Sequence, residues 1–584
     1  MRVQMLLYSV FMVRGMVNRY NKLMRNNQTL LAWFAVLLGC TAITSIVFIF
    51  FKITVGSFLP AILPEIQSDL LYYLVQAKEV LDGFPMLGNP YIIEHSKAQF
   101  PGLLLPIWLT ALPGFLGVGI NTLYVINVFF YSILLGGLLF IISKKCTNNK
   151  LWLSVGISIL GLASLHNLMI RPAIMQTVYP AFALFVIALL GVLKNPHSTK
   201  QYIYLGLITS VSFYLYPYLW MITFTAVGML ILTAALQRNW GTLQRLLVME
   251  ICILAICIPQ ILTTISLFTD AGAHELQNRI GLVETHRIHP LAIVYAKYTF
   301  MTVGGLLLLR TQRKLRVPEL LTLLLTASLL IATYSNLITG KELHFDTHFW
   351  RIGMFINIIG IAVFAEVIKE GKMQRAIAGT CIALLLLATV NRVAIRMGGF
   401  AYLTKTEVTY NNYRDIQLFE TVFDYFNDNN IANAVIMAPT RLSTYIPLYT
   451  KNYVYYVGPA RNNTISNAEL LDRFTIQNID RMSEEFLVTN IKNFRGWKAE
   501  RESSLLNAYG GNVKPIDRIG GQEFIDNAIE QSVIIDREYD QYLHRYQVDY
   551  LVMDAEFQKD NPRLPSSNSI VFQTERFTIY SLSE

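Results

Sequence analysis

The sequence predicts a multispanning α-helical membrane protein with about eleven transmembrane helices, followed by an extracytoplasmic α/β domain. Of its 584 residues, 53% are hydrophobic and only 15% are charged, whereas soluble proteins carry about 25% charged residues. Eleven apolar runs approach the length that a transmembrane helix needs, about 20 residues. The third observation is an uneven charge distribution behind the overall net charge of +9. This composition excludes a disordered chain, a collagen-like fibre and an ordinary cytosolic enzyme.

The first predicted span, 30–51, follows a basic N-terminus at 1–29 that contains no acidic residue. We interpret it as an uncleaved anchor, because its apolar run is too long for a signal-peptide core and no small-residue cleavage site follows. The short loops rich in Lys and Arg all fall on the side of this N-terminus, which the positive-inside rule places in the cytoplasm. The ten later spans are expected at 121–143, 151–167, 173–193, 202–216, 218–236, 246–268, 291–309, 317–338, 352–368 and 375–392.

Segment 101–119 is also long and apolar, but counting it as a span would move Lys144 and Lys145 outside the cytoplasm. We therefore predict a helix along the outer membrane interface, broken by Pro106 and Pro113. It ends the first outer loop, 53–120, of a membrane domain that covers 30–404.

The composition changes near residue 405. Residues 405–584 hold 18 Lys+Arg and 25 Asp+Glu, against 30 and 14 in the rest of the chain. An odd number of spans places this acidic region outside the cytoplasm. Apolar runs predict strands at 434–439, 453–458 and 549–555, an antiparallel hairpin at 569–582, and helices near 411–429 and 466–492.

The first outer loop carries the richest set of polar side chains. Asp69, Tyr72, Tyr73 and Gln76 have the spacing of one helix face. A carboxylate beside two aromatic rings can act as a general base for a hydroxyl, or bind a cation or a sugar. The alternative is that Asp69 stabilises the helix N-terminus and the tyrosines form an interfacial belt.

With the residues that follow, this loop resembles the first outer loop of the GT-C glycosyltransferases. It is most similar to the aminoarabinose-transferase and protein O-mannosyltransferase branch. Two departures are Leu70 in place of the acid that often follows the aspartate, and a looser spacing between Lys97 and Pro101. The residues that carry the resemblance are Asp69, Tyr72, Tyr73, Ala77, Glu79, Leu81, Gly83, Pro90, Glu94, Lys97, Pro101, Leu104, Trp108 and Gly117.

The resemblance implies a membrane enzyme that moves a sugar from a polyprenyl-phosphate carrier to a glycan, glycolipid or protein at the outer face. Asp69 would be the base of an inverting displacement, and basic side chains at outer helix ends would hold the leaving phosphate. Each arginine could instead reach toward lipid headgroups. The predicted cations are Lys97, Arg171, Lys341 and Arg351, and further predicted substrate-binding residues are Tyr72, Tyr73, Glu94, His95 and His348.

A divalent metal is a weaker expectation. His344, Asp346 and His348 alternate by two, so in an extended segment they would face one side and could ligate a metal with Glu94 and His95. The alternative is a solvated loop or direct hydrogen bonds to sugar. No other cofactor is indicated. The sequence contains no glycine-rich phosphate loop, which argues against a nucleotide-sugar enzyme and against an ATP-driven pump.

Two other functions compete with transfer. One is a transporter or flippase for a lipid-linked glycan, and the other is a non-catalytic subunit in cell-surface polysaccharide assembly. Transporters typically show internal repeats and ionisable residues in mid-membrane. No repeat is evident here, and few charges lie in the middle of the predicted spans. The expected partners are the lipid-linked donor, the acceptor and the bilayer rather than nucleic acid, and the absence of an endoplasmic-reticulum retention signal favours a prokaryotic plasma membrane.

Overall fold

The computed structural model describes residues 27–65, 69–269, 271–288, 290–342, 347–405, 407–490, 498–511, 521–564 and 569–582. Each of the eleven predicted spans is helical. The helices are Asn27–Val55, Ile120–Cys146, Leu151–Met169, Ile174–Lys194, Thr199–Leu215, Pro217–Leu236, Trp240–Thr269, Pro290–Gln312, Val317–Thr333, Thr347–Val367 and Lys372–Lys405.

Nine helices in the described ranges are long and apolar enough to cross a membrane. The two expected spans outside that set are Thr199–Leu215, which has 17 residues, and Pro290–Gln312. The multispanning fold is therefore confirmed, whereas the count of eleven stays a prediction.

Basic loops between the helices meet at one end of the bundle. Lys150 pairs with Glu366, to which Asn148 also donates at 3.1 Å. Arg313 pairs with Glu370 at 2.7 Å. These contacts join loops far apart in sequence, as the predicted alternation requires. Which side of the membrane this end faces stays a prediction.

The first outer loop contains helix Leu70–Leu81, a 3-10 turn at Ile93–His95 and a short helix at Leu104–Ala111, which continues as 3-10 to Leu116. The last of these corresponds to the expected helix, but the predicted break at Pro106 is wrong, because this proline lies in the first turn of the helix, where no backbone hydrogen bond is lost. Its 3-10 part begins beside Pro113, whose ring removes a backbone donor. Its place at the membrane surface remains a prediction.

The C-terminal region contains a five-stranded sheet flanked by helices. Strand Ala432–Met437 is parallel to Lys451–Val454 and to Tyr550–Met553, and the last pair, Ile570–Gln573 and Thr578–Ser581, forms the predicted antiparallel hairpin. The hairpin joins the sheet through its second strand. The described helices are Glu407–Asp415, Glu420–Asp428, Thr440–Ser443, Ile446–Tyr449, Asn467–Gln477, Glu484–Asn490, Lys498–Ala508, Gly521–Arg537, Tyr539–Leu543 and Ala555–Asp560.

This region shares one hydrophobic core with the first outer loop. Leu71 and Tyr91 are buried in the same cluster as Val435 of the sheet. The backbone N–H of Val454 donates to the carbonyl of Tyr91 at 2.8 Å, extending the sheet edge toward the loop. The domain boundary at 405 stays a prediction, but the core on its C-terminal side is completed by residues from the loop.

Other loops at this end of the bundle also reach the C-terminal region. Strands Val283–Glu284 and Lys341–Glu342 pair with each other, and Arg501 binds Glu342 at 2.6 Å. Arg279, at the end of helix Ala271–Ile280, is fully buried and donates to the carbonyls of residues 461, 463 and 465. The loops and the C-terminal region therefore form one polar assembly at the end of the bundle opposite the basic loops.

Candidate functional site

Asp69 and Arg171 form an ion pair at this polar end. The Arg171 Nη2 atom donates to Asp69 Oδ2 at 2.6 Å and to the Tyr73 hydroxyl at 3.1 Å. Its guanidinium lies 5.2 Å from the centre of the Tyr73 ring. The Arg171 side chain is 8% exposed and that of Asp69 is 44% exposed, so the carboxylate is the accessible member of the pair.

Asp69 precedes the first turn of helix Leu70–Leu81 but makes no side-chain capping hydrogen bond. Its φ of 71° is left-handed, a conformation that Asp adopts more readily than most residues. Because the carboxylate is directed to Arg171 rather than to the helix backbone, simple N-capping does not explain its position.

Arg171 is presented by a tight turn between helices Leu151–Met169 and Ile174–Lys194. Ala173 has φ 60° and ψ −85°, and the N–H of Ile174 donates to the carbonyl of Pro172 at 3.0 Å. This is a γ-turn with positive φ at its central residue, a rare and strained form. The Tyr124 hydroxyl fixes the other side by donating to the carbonyl of Ile170 at 3.1 Å.

The charges of two further arginines interact with this group of residues: Arg351 with Tyr73, and Arg461 with Asp69. Burial raises the pKa of Tyr73, and the charges of Arg171 and Arg351 oppose that rise. Burial lowers the pKa of Arg461, while Tyr456 and the charge of Asp69 oppose that fall. Arg351 lies in the second turn of helix Thr347–Val367, whereas Arg461 lies in the 3-10 helix Gly458–Asn462 of the C-terminal region. We call Asp69, Tyr73, Arg171, Arg351 and Arg461 the arginine cluster.

A layer of aromatic hydroxyls supports the cluster. The Tyr179 hydroxyl donates to the backbone carbonyl of Arg351 at 3.0 Å. The Tyr216 hydroxyl is hydrogen-bonded to Nδ1 of His348, which is buried. Tyr72, predicted with Tyr73 as a substrate contact, meets the Tyr73 ring edge-on at a centroid distance of 5.3 Å.

Sequence reasoning had missed Tyr179, Tyr216 and Arg461. Tyr216 precedes Pro217 in a turn whose tightness is evident from sequence. Arg461 had no comparable signal, because its approach to Asp69 depends on how the C-terminal region docks.

Glu94 and His95 contact the C-terminal region. Arg473 is fully buried and pairs with Glu94 at 2.8 Å and with Glu469 at 2.9 Å. His95 Nε2 lies 2.8 Å from Glu469. Burial would raise the pKa of Glu469, but the hydrogen bond from His95 and the charge of Arg473 outweigh it and hold that pKa low. This arrangement gives Glu94 and His95 a docking role, and their predicted contact with substrate stays a prediction.

The remaining predicted residues lie elsewhere or cannot be placed. Lys97 is exposed beyond the Ile93–His95 turn, and Lys341 is exposed in its short strand. Among the described contacts, neither reaches Asp69. His344 and Asp346 lie outside the described residues. Within the described ranges, no group of three or more His, Cys, Asp or Glu side chains is arranged to hold a metal ion.

Two cavities in the described structure lie away from Asp69. One, of about 210 Å³, lies between part of helix Leu70–Leu81 and the edge of the C-terminal sheet. The other, of about 370 Å³, is an apolar groove between helices Thr199–Leu215 and Trp240–Thr269, near Arg245. Because neither is lined by the arginine cluster, the chemistry is assigned from side-chain geometry rather than from cavity size.

No family model matches the chain, and no curated protein matches it. Among solved structures it is similar to ArnT from Cupriavidus metallidurans in the apo state, at 11% identity and TM-score 0.39, over 94% of this chain and 97% of that one. It is also similar to the archaeal oligosaccharyltransferase AglB from Archaeoglobus fulgidus, in complex with an inhibitory peptide and a dolichol-phosphate, at 11% identity and TM-score 0.43, over 90% and 70% of the chains. Both are GT-C glycosyltransferases. At such low identities and TM-scores, function must be argued from the site of this chain.

Proposed function

We propose that this protein is a GT-C-like membrane glycosyltransferase that moves a sugar from a polyprenyl-phosphate carrier to a hydroxyl of a glycan, glycolipid or protein. The supporting observation is the arginine cluster. It brings one partly exposed carboxylate, Asp69, to a buried arginine, Arg171, within electrostatic reach of two more arginines. A base beside several cations matches the needs of a reaction that activates a hydroxyl and releases a phosphate.

In the proposed reaction, the acceptor oxygen attacks the anomeric carbon from the face opposite the phosphate. Asp69 takes the proton of the attacking hydroxyl. The bond between the anomeric carbon and the phosphate oxygen breaks, and its electron pair stays on the polyprenyl phosphate. One displacement inverts the anomeric centre. A phosphate of low pKa needs no general acid to leave.

The arginines would hold that phosphate. Bidentate arginine–phosphate contacts are strong and directional, and the cluster has unused donors. Arg171 Nε and Arg351 Nη1 are buried without hydrogen-bond partners among the described residues. A donor phosphate that displaced the side chains covering these atoms would supply acceptors to both. It would also compete with Asp69 for Arg171, leaving the carboxylate freer to accept a proton.

The decisive comparison is Asp69→Asn against Asp424→Asn. Asp424 is an exposed acid on helix Glu420–Asp428 and serves as a matched control. General-base contributions are typically about 10²–10⁴-fold, so Asp69→Asn should lower transfer by at least about 100-fold while Asp424→Asn leaves it unchanged. Transfer is measured by mass spectrometry of lipid carriers and surface glycans, in cells with and without the protein.

Full transfer by a folded Asp69→Asn protein would overturn the assigned base. Movement of a lipid-linked glycan across the membrane of liposomes that contain the protein, without transfer of sugar to an acceptor, would favour a flippase. Loss of surface glycan with no change in any lipid-linked sugar would favour a non-catalytic assembly subunit.

A further inference from the structure

The cavity of about 210 Å³ beside helix Leu70–Leu81 is separate from the arginine cluster. We propose that it binds one neutral sugar residue of an extended acceptor, at a distance from the reacting hydroxyl. This inference rests on the proposed function. We call this space the Glu79 cavity; its lining residues include Glu79, Asp82, Phe84, Asn433, Lys451 and Tyr453.

Glu79 is the main reason to expect a ligand. Its side chain lies at the cavity, the residue is 8% exposed, and its Oε2 atom makes no hydrogen bond with the described residues. A buried polar atom without a partner destabilises the folded protein. Oε2 itself is covered, so a hydroxyl-bearing ligand in the cavity would satisfy it after a rotation of the Glu79 carboxyl group toward the cavity.

The charge state of Glu79 favours a neutral ligand. Burial raises its pKa to about 8, the N–H of Gly88 opposes this rise, and the charge of Asp82 adds to it. At neutral pH the side chain is therefore mostly a carboxylic acid, which both donates and accepts a hydrogen bond. Asp82 is itself paired with Lys78, and Lys451 supplies a positive charge at the rim.

Aromatic rings complete the chemistry of a sugar site. Phe84 is 43% exposed although it lines the cavity, and Tyr453, on the edge strand of the sheet, lines it as well. Such rings offer flat apolar surfaces against which the C–H face of a sugar can pack while the polar groups bind its hydroxyls. A volume of about 210 Å³ suits a single ring rather than a long chain.

The position fits an extended acceptor. Asp69 and Glu79 lie at the two ends of one helix, ten residues apart, and a rise of 1.5 Å per residue separates them by about 15 Å along the axis. That is a few sugar units. The Glu79 cavity would therefore hold a residue internal to the acceptor while its end reaches Asp69.

The test measures binding by saturation-transfer NMR to the full-length protein in nanodiscs. The probes are maltotriose, cellotriose and mannotriose, with glucosamine as a cationic comparison. At least one neutral trisaccharide should bind, and Phe84→Ala should weaken it at least tenfold. Phe58→Ala, which removes another exposed ring, should not. Glu79→Gln keeps a neutral hydrogen-bonding group and should bind, whereas Glu79→Ala should not.

Asp69→Asn separates the two proposals, because it should bind trisaccharide normally while failing to transfer. The absence of trisaccharide binding, or binding indifferent to Phe84→Ala, would overturn the sugar site and leave the role of Asp69 standing. If only glucosamine bound, and its affinity increased above pH 8, the proposal that the ligand is neutral would be overturned. Since Phe84 is exposed, its variant keeps the test valid if Glu79→Ala fails to fold.

Discussion

At the scale of single residues, two left-handed backbone positions flank the central ion pair. Asp69 has φ 71° and Ala173 has φ 60°. Neither is glycine, and residues in such regions cost about 1–3 kcal/mol unless their surroundings enforce the conformation. Ala173 is fully buried in a cluster that includes Ala77 and Ile107. The surrounding packing therefore fixes the backbone that aims Arg171 at Asp69.

Substitution of Ala173 should reveal this strain. Ala173→Val places a β-branched side chain at positive φ, and we expect it to destabilise the protein by about 1–3 kcal/mol. Ala173→Gly relieves the conformation and should melt within a few degrees of the wild type, but with slower transfer because Arg171 is held less firmly. Thermal unfolding in detergent and transfer rates measure the two effects. Equal melting temperatures for Val and Gly would contradict the strained turn.

Arg461 should act on the donor more than on the acceptor. Arg461→Lys keeps the charge but loses bidentate geometry, so the KM for the lipid-linked donor should rise about tenfold, or about 1.4 kcal/mol, with a smaller change in kcat. The control is Arg481→Lys, a 46% exposed arginine paired with Asp560. An unchanged donor KM would remove Arg461 from the phosphate site.

The residues of the site were partly predictable. Asp69, Tyr73, Arg171 and Arg351 are polar groups at helix ends on one side of the bundle, and a topology drawn from charge and hydropathy brings such ends together. Arg461 lies in a turn of the C-terminal region. Nothing in its local sequence indicates that it approaches Asp69, because that approach depends on tertiary docking.

At the scale of elements, the outer loop and helix Asn467–Gln477 are joined by buried charge. Arg473 is fully buried, pairs with Glu94 and Glu469, and lies 4.1 Å from the centre of the Tyr546 ring. Removing one partner of a buried pair leaves the other charges uncompensated. The helix and loop thus depend on one guanidinium.

Arg473→Met should therefore loosen this junction. Because Glu94 is 34% exposed, we expect a loss of about 2 kcal/mol, below the usual 3–5 kcal/mol for a fully buried pair. Limited proteolysis should cut near residues 90–100 faster, and the melting temperature should fall. Arg481→Met, which removes an exposed pair, should change the free energy of unfolding by less than about 1 kcal/mol. Equal losses of stability in the Arg473→Met and Arg481→Met variants would contradict the stabilising role of Arg473 between the loop and the helix.

Glu79 should make stability depend on pH. Its pKa is raised from 4.5 to about 8 in the folded protein. The contribution of Glu79 to stability is therefore full below about pH 4.5, where the unfolded chain is protonated too, and it declines as pH rises from there through about 8. Glu79→Gln cannot ionise. The melting temperature of the variant minus that of the wild type should therefore increase between pH 5 and pH 8 and then level off. A pH-independent difference would contradict the raised pKa.

The secondary structure was more predictable from the sequence than the tertiary packing was. Membrane helices have long apolar runs, and strands such as Ala432–Met437 and Tyr550–Met553 are rich in Val, Ile, Met or Tyr. The pairing of Val283–Glu284 with Lys341–Glu342 was not predicted, because two-residue strands leave no periodic pattern. The shared core of loop and sheet was also missed, since it depends on contacts between distant segments.

At the scale of the whole molecule, the distribution of charge distinguishes the two ends of the helix bundle. The loops carrying Lys150, Glu366 and Arg313 meet at one end, and the arginine cluster lies at the other. The positive-inside rule assigns the first end to the cytoplasm. The net charges of the two regions, positive before residue 405 and negative after it, agree with that orientation.

Reporter fusions test this orientation. Alkaline phosphatase is active only outside the cytoplasm. Green fluorescent protein fluoresces only in the cytoplasm, because it does not become fluorescent after export in an unfolded state. Phosphatase fused after residue 582 should be active, whereas phosphatase fused in loop 147–150 should be inactive. Green fluorescent protein at the same sites should give the opposite pattern. Phosphatase activity at both sites, or at loop 147–150 alone, would reject the predicted orientation.

The core shared by the first outer loop and the C-terminal sheet also fixes an order of events during synthesis. The backbone N–H of Leu63 donates to the hydroxyl of Tyr449, 386 residues later, and Glu94 accepts from the N–H of Gln547, 453 residues later. At a synthesis rate of roughly 5–20 residues per second, Tyr449 is made about 20–80 s after Leu63. A late stop codon would release a chain that retains Asp69, Arg171 and its membrane helices but lacks part of the sheet. Such a chain could insert into the membrane and still lack a finished site.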